Sequence, residues 1–455
     1  MKTDRNLDKK GDLKLFPLLM CGGALFSMHF GASSMVWPMN WGKESGTSLL
    51  SAFAGAFITS LFLVIIGYVA LAKSNSTYSK MTTRITGKKF GLFFTCLTIA
   101  VNGPLYVIPR MSAASWDSIV QAFGLTPQNK LPLIIFTVLF YLLSYFFLMN
   151  PGKAMDKIST MLFPILLVIV ITVVVKGLIS PLGVPTGKEY SGSSFAYGFT
   201  NGYATGEILC ALIFGQVILN SLKTKGVSDK KMSSNMVRVG IAGIAMLTCT
   251  HLAHMIIGAT SATTFPDLNY TALYTAVAAA EYGKVGGYLF TFALFLAALT
   301  TAVGMTSGCA EFFADATDGK LTYKKTAIAI LVLSALFGCL GLAGILTYLG
   351  PIPDGVYPPT IVLVIYYALA PRVEQPRLTK AAKWSIYVAF VFGMLDMIWK
   401  YFVKFNIFEN ICALYEKIPL AGVSLAWFPW TVLAFVVGLL LHRNEIRSEK
   451  DLCSE

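Results

Sequence analysis

The chain has 455 residues, of which 55% are hydrophobic and only 13% charged, about half the charge of a soluble protein of that length. Its apolar stretches run from end to end and are about 20 residues long, enough to cross roughly 30 Å of hydrocarbon as helix. Lipid cannot satisfy open backbone groups, and the ~10-residue alternating segments of a β-barrel are missing, so the expected class is all-α and integral to a membrane.

Twelve spans are predicted in chain order: 14–38, 47–72, 91–121, 131–149, 157–179, 198–222, 236–262, 285–313, 324–346, 354–371, 382–402 and 424–442. The first has no small-residue cleavage site and is expected to remain as a span. The segment 263–284 is expected to carry a short surface helix over a vestibule. The whole reads as one transmembrane domain, with a first repeat at 14–179, a second at 198–371 and two extra helices at 382–442.

Charge orients these spans. Of the 36 Lys and Arg, 27 fall in loops on the side of the N-terminus and eight on the other, which predicts that both termini are cytoplasmic. The net charge of +13 therefore belongs to short loops facing anionic lipid, and no soluble domain exists to host nucleic acid. The eight cysteines form no C-x-x-C pair and fall mostly in apolar runs, so they read as small core residues. No Walker A motif and no nucleophile–base or metal constellation points to a pump or an enzyme. His251 and His254, without a third ligand, do not make a metal site.

Two spans carry matched interruptions. Span 1 contains Gly31-Ala32-Ser33-Ser34 before Trp37-Pro38, and span 6 contains Asn201-Gly202-Tyr203-Ala204-Thr205-Gly206-Glu207. Span 6 follows span 1 by five, and an odd repeat length inverts the second copy in the membrane, as in transporters whose broken helices bind substrate at midplane. An unwound helix offers N–H groups to a carboxylate on one half and carbonyls to a hard cation on the other. On span 8, Ala297, Thr300 and Thr301 place a carbonyl and two hydroxyls within one turn, a candidate cation site, although membrane Ser and Thr usually bond their own helix. Three polar groups inside spans are candidates for gating or coupling. Arg110 on span 3 and Glu207 in the span 6 break could pair with each other, gate a path or meet substrate, and His29 could carry protons.

These residues resemble a known family. Phe30-Gly31-Ala32 followed by Trp37-Pro38 is similar to the first-helix signature of the branched-chain amino acid:cation symporters. So, in order, are Gly103-Pro104 with Ile108-Pro109-Arg110, Gly202-Tyr203 with Thr205 and Glu207, Leu299-Thr300-Thr301-Ala302, and Tyr357-Pro358-Pro359-Thr360. The resemblance implies the inverted-repeat LeuT-type fold, five plus five helices with two added. It implies symport of leucine, isoleucine or valine with Na⁺ or a proton in a bacterial inner membrane. It places substrate at Gly31, Ala32, Ser33, Ser34, Tyr106, Tyr203, Ala204, Thr205, Gly206 and Glu207. It places Na⁺ between the carbonyls of Ser27 and Phe30 and the string Ala297, Thr300 and Thr301. No cofactor is implied beyond the co-transported ion. The chain departs from the usual pattern at Ser33-Ser34, Met39, Ala204, Glu207 and His29, nearly all at the expected binding centre. Those departures keep open a proton-coupled relative tuned to another apolar amino acid such as methionine. A non-transporting sensor would need a partner-binding domain.

Overall fold

The computed structural model describes residues 6–8, 10–126, 128–148, 163–187, 193–317, 319–370 and 375–443. Every regular element among them is helical. Seven helices are long and apolar enough to cross a membrane, eight if one bent pair counts as a span, and shorter apolar helices accompany them. The opening residues of predicted span 5, 157–162, lie outside the described residues, and its helix is Phe163–Ile179.

Span 1 is two helices, Leu15–His29 and Ala32–Ser45. Its break is narrower than the predicted cluster and falls at Phe30-Gly31, so Ala32, Ser33 and Ser34 form the first turn of the second half. That half continues past Pro38 to Ser45, seven residues beyond the predicted end. At Gly46 the chain turns into span 2. This glycine has φ +50°, and a Cβ there would lie 1.7 Å from the Thr186 carbonyl oxygen, so no other residue fits. Span 2 follows as Leu49–Ala56, a π-helical stretch Phe57–Phe62, and Leu63–Ser74.

Span 3 is also interrupted. Lys88–Ala100 leads into a π-type stretch Val101–Leu105, where Gly103 leaves the helical region and Pro104 withholds a donor, and then into Val107–Phe123. Span 6 is split into Ser194–Tyr203 and Glu207–Thr224. The expected surface helix is present, starting at Tyr270 and ending in a kink at Tyr282-Gly283 that opens span 8. Predicted span 9 is not one straight helix. Tyr323–Gly338 and Gly341–Gly355 meet at 102°, because Gly341 at φ +75° stops the helix. Span 10, Tyr357–Leu369, carries Pro358 and Pro359 in its first turn, where a missing N–H costs nothing.

Packing sorts the spans into two groups. Spans 1, 2, 6 and 7 hold one another, and spans 3, 4, 8 and 9 do likewise. Within the first group the helices meet backbone to backbone. A Cβ on Gly42 would stand 1.8 Å from Met255 O on span 7, one on Gly258 1.8 Å from Met39 O, and one on Gly198 1.8 Å from Ala52 O. Without a hydrophobic drive between helices in lipid, such close approach by small residues is what joins them.

The segments at Leu13 and Leu439 share one face, here called proximal. Leu13 N–H donates to Asn235 Oδ1 (2.8 Å), the Ser233 hydroxyl to Ala72 O, Lys73 to Ala368 O (2.7 Å) and Arg377 to Leu439 O (3.0 Å). On the opposite, distal face, Lys43 is buried and its ammonium donates to Pro266 O and Leu268 O (both 2.6 Å) and to Asn269 Oδ1 (3.0 Å). Asn40 Oδ1 accepts from Tyr270 N–H (3.1 Å). The helix that starts at Tyr270 is thus fastened to the second half of span 1.

Candidate functional site at the helix breaks

The two breaks face each other across a cavity of ≈ 20 Å³, room for about one water. It is lined by Gly31, Ser33, Ser34, Arg110, Thr205, Glu207, His29 and Thr301, together with the apolar Met28, Val107, Met111 and Phe214. On its distal side lies a vestibule of ≈ 270 Å³ that includes Trp37, Tyr106, Tyr203, Ala204, Gly206 and Asp354. On the proximal side a cavity of ≈ 370 Å³ is lined by residues such as Tyr78, Asn220, Glu311 and Asp315. The centre is much the smallest of the three. The predicted site residues therefore divide. Tyr106, Tyr203, Ala204 and Gly206 face the vestibule rather than the central cavity. Ala32, Ser27, Phe30, Ala297 and Thr300 are buried beside the centre without lining it.

The span 6 break is built locally. Gly206 adopts φ +66°, open to glycine at no cost, and the Thr205 hydroxyl donates to Gly202 O (2.7 Å). The next helix opens with Glu207, a carboxylate at a positive dipole end. Glu207 does not pair with Arg110, as the sequence allowed. Its Oε2 lies 2.9 Å from His29 Nδ1, and Ser34 Oγ, which donates to His29 O at 2.7 Å, lies 3.4 Å from its Oε1. His29 Nε2 lies 2.8 Å from the Tyr68 hydroxyl. A hydroxyl donates or accepts as needed, so Tyr68 satisfies His29 as neutral imidazole or as imidazolium.

Arg110 is 4% exposed. Its Nη1 donates to the Tyr106 hydroxyl (2.9 Å), and its guanidinium carbon sits 4.6 Å from the centre of that ring and 4.9 Å from the Trp37 ring. Its Nε has no hydrogen-bond partner, and no salt bridge to it occurs among the described residues. Because Trp37 and Tyr106 line the vestibule and Arg110 the centre, the three stack as a partition between the two spaces.

At the cation candidates, Thr300 follows the ordinary habit of its kind and donates to Ala297 O (2.9 Å). Thr301 does not. Its hydroxyl oxygen is buried with no partner, directly over Gly31, where a Cβ would approach it to 2.6 Å. The break also frees an acceptor nearby, because Gly31 N–H donates to His29 O (2.8 Å) and not to Ser27 O one turn back. The Ser27 hydroxyl turns to Ala24 O, which leaves its carbonyl as the group available to a cation. A released carbonyl and an unpartnered hydroxyl are a donor set that suits a hard ion.

Sequence reasoning missed two features. Tyr68 sits in an uninterrupted apolar span and gives no signal of its own. Lys400 on span 11 bridges Asp354 (3.1 Å) and Asp396 (3.3 Å), and Tyr415 donates to Asp396 (3.2 Å). The spacing of Asp396 and Lys400, one helical turn apart, was readable as a pair; the third member comes from the bent segment after span 9 and was not. His251 and His254 bond Leu247 O and the Tyr274 hydroxyl, and among the described residues no cluster of metal-ligating side chains exists.

A family model described as "Branched-chain amino acid transport protein" matches residues 15–445. The branched-chain amino acid transport system 2 carrier protein of Pseudomonas aeruginosa is 30% identical, over 95% of this chain and 97% of that protein. The branched-chain amino acid permease BrnQ of Salmonella typhimurium is 29% identical over the same shares. Among solved structures, the nucleobase-cation-symport-1 family transporter Mhp1 matches with TM-score 0.62 at 15% identity, covering 93% of this chain and 91% of that one. MhsT in complex with L-phenylalanine matches at 0.54 and 14%, covering 92% and 97%. These likenesses give the fold.

Proposed function

The chain belongs to the branched-chain amino acid transport protein family, and on that premise we propose that it is a secondary active symporter. It imports leucine, isoleucine or valine with Na⁺ by alternating access. It sits in a bacterial cytoplasmic membrane with the proximal face inside, and residues 14–179 and 198–371 form its two inverted repeats. Substrate binds between the two breaks, its ammonium toward Glu207 and its side chain against Met28, Val107, Met111 and Phe214. The small centre must widen to admit it, which the group of spans 1, 2, 6 and 7 does by rocking against spans 3, 4, 8 and 9. Trp37, Tyr106 and Arg110 part on the distal side first.

The observations that support Na⁺ are the unpartnered Thr301 hydroxyl over the span 1 break and the Ser27 carbonyl that the same break releases. A cation held there would tie span 8 to span 1 and so couple its own binding to the shape of the substrate site. In proteoliposomes, radiolabelled leucine should accumulate under an inward Na⁺ gradient. Thr301→Ala should abolish that uptake at near-normal protein level; full uptake by the variant would rule the site out.

One observation favours a second reading. His29, Glu207 and Tyr68 form a buried chain that accommodates an extra proton, as a proton-coupled cycle requires. A sodium ionophore that leaves pH untouched separates the two: uptake that persists after Na⁺ collapse makes the proton the driver. Competition by methionine in the same assay reports whether the departures at Ser33, Ser34 and Ala204 have shifted the substrate.

A further inference from the structure

Among the described residues the central cavity holds two opposite charges that do not meet. Glu207 is provided for by His29 and Ser34. Arg110 is not: a neutral hydroxyl, two ring faces and an unpartnered Nε are all it has. Ring faces offset part of the cost of a buried cation, but an unpaired charge away from water remains expensive unless an anion joins it. A chain that keeps arginine at this depth gains from it when something negative arrives.

A second group points to the same space. The helix Ala32–Ser45 begins at Gly31, whose side chain is a hydrogen, and no side chain caps its first N–H groups. Gly31, Ser33 and Arg110 line one cavity. A helix N-terminus favours negative charge, and a guanidinium offers a planar fork that fits a carboxylate with two bonds. The other broken helix carries the carboxyl group of Glu207 in its first turn, which disfavours a second carboxylate there.

Resting on the reading that the chain carries a zwitterionic apolar amino acid, we propose that Arg110 is the receptor for the substrate's α-carboxylate. It receives that group against the uncapped first turn of Ala32–Ser45, and so makes a free carboxylate a condition of transport. The same residue forms the partition with Trp37 and Tyr106. Because the guanidinium that meets the carboxylate is also the one stacked on the two rings, substrate capture and the state of the distal path are linked through one residue.

The test is direct binding to purified full-length protein, with leucine and with leucinol, which keeps the ammonium and side chain but lacks the carboxylate. Wild type should prefer leucine strongly. Arg110→Gln should weaken leucine by about 30-fold or more, the low end of what removing one partner of a buried charged pair costs, and leave leucinol unchanged. Arg110→Lys should fall between. Unchanged leucine binding by Arg110→Gln, or an equal loss of leucine and leucinol, would overturn the proposal. If the Gln variant does not fold, wild type decides: leucinol bound within about threefold of leucine, about 0.7 kcal/mol, means that no buried charge reads the carboxylate. A wild type that prefers another apolar amino acid sinks the branched-chain reading alone, and that amino acid with its amino alcohol then tests Arg110. A wild type that binds no amino acid sinks both.

Discussion

At the scale of single residues, the centre of this protein is decided by which polar groups are already satisfied. His29 engages both ring nitrogens, with Glu207 on one side and Tyr68 on the other. Removing either partner strands the imidazole in a site that water barely enters, but the two losses differ in size. Tyr68→Phe deletes a neutral hydrogen bond and should cost about 1–3 kcal/mol. Glu207→Ala removes a potential charge partner and should cost more, about 3–5 kcal/mol where the remaining partner is charged. Thermal unfolding in detergent should rank them in that order. The reverse ranking would mean that Glu207 is held in place for transport and adds nothing to stability.

At the scale of elements, glycine spacing and one distal helix set how the parts move. Gly42, Gly198 and Gly258 bring span 1 onto span 7 and span 2 onto span 6 with no room for a methyl, so each pair moves as a unit. The helix that begins at Tyr270 moves with span 1 through Lys43 and Asn40. It also carries a weak point. Glu281, near its end and outside the spans, has both carboxylate oxygens shielded and without a partner. Burial pushes its pKa up to about 7, with Lys176 opposing the shift, while Tyr274 and Tyr282 are its other titratable neighbours. A raised carboxyl pKa means the folded state holds its proton more tightly than the unfolded one. Stability is therefore whole at low pH, falls as pH rises from about 4.5 to about 7, and stays reduced above. Glu281→Gln should raise the melting temperature at about pH 8, and this gain should shrink toward about pH 5. An equal gain at both values would show that the carboxylate's charge is not the cause.

At the scale of the whole molecule, contacts from Leu13 to Asn235 and from Arg377 to Leu439, joined through Ser233–Ala72 and Lys73–Ala368, put the described segments nearest the two ends on one face. The bias of Lys and Arg toward the loops of that face predicts that it is cytoplasmic. Exposed positions test this. A membrane-impermeant thiol reagent on intact cells should label Asp267→Cys and spare Lys230→Cys, and inverted vesicles should reverse the pattern. The opposite result would turn the transporter over and make the vestibule at Trp37 the inner one.

The sequence by itself determined the class, the order of the spans and where two of them break. Apolar length, loop charge and clusters of small residues are local properties, and lipid permits few alternatives to helix. It also marked Gly31, Thr301, Glu207 and Arg110, since a polar or flexible residue in an apolar run is conspicuous without any partner. Only the tertiary structure decided what those residues touch. That Glu207 turns to His29 and leaves Arg110 unpaired depends on Tyr68 and Trp37 arriving from other positions along the chain. The bend after span 9 depends on one glycine adopting positive φ, and the join of Asp354 to Lys400 depends on that bend. Distances of this kind are set by how helices pack against one another, and packing between distant segments leaves no period or spacing in the sequence to read.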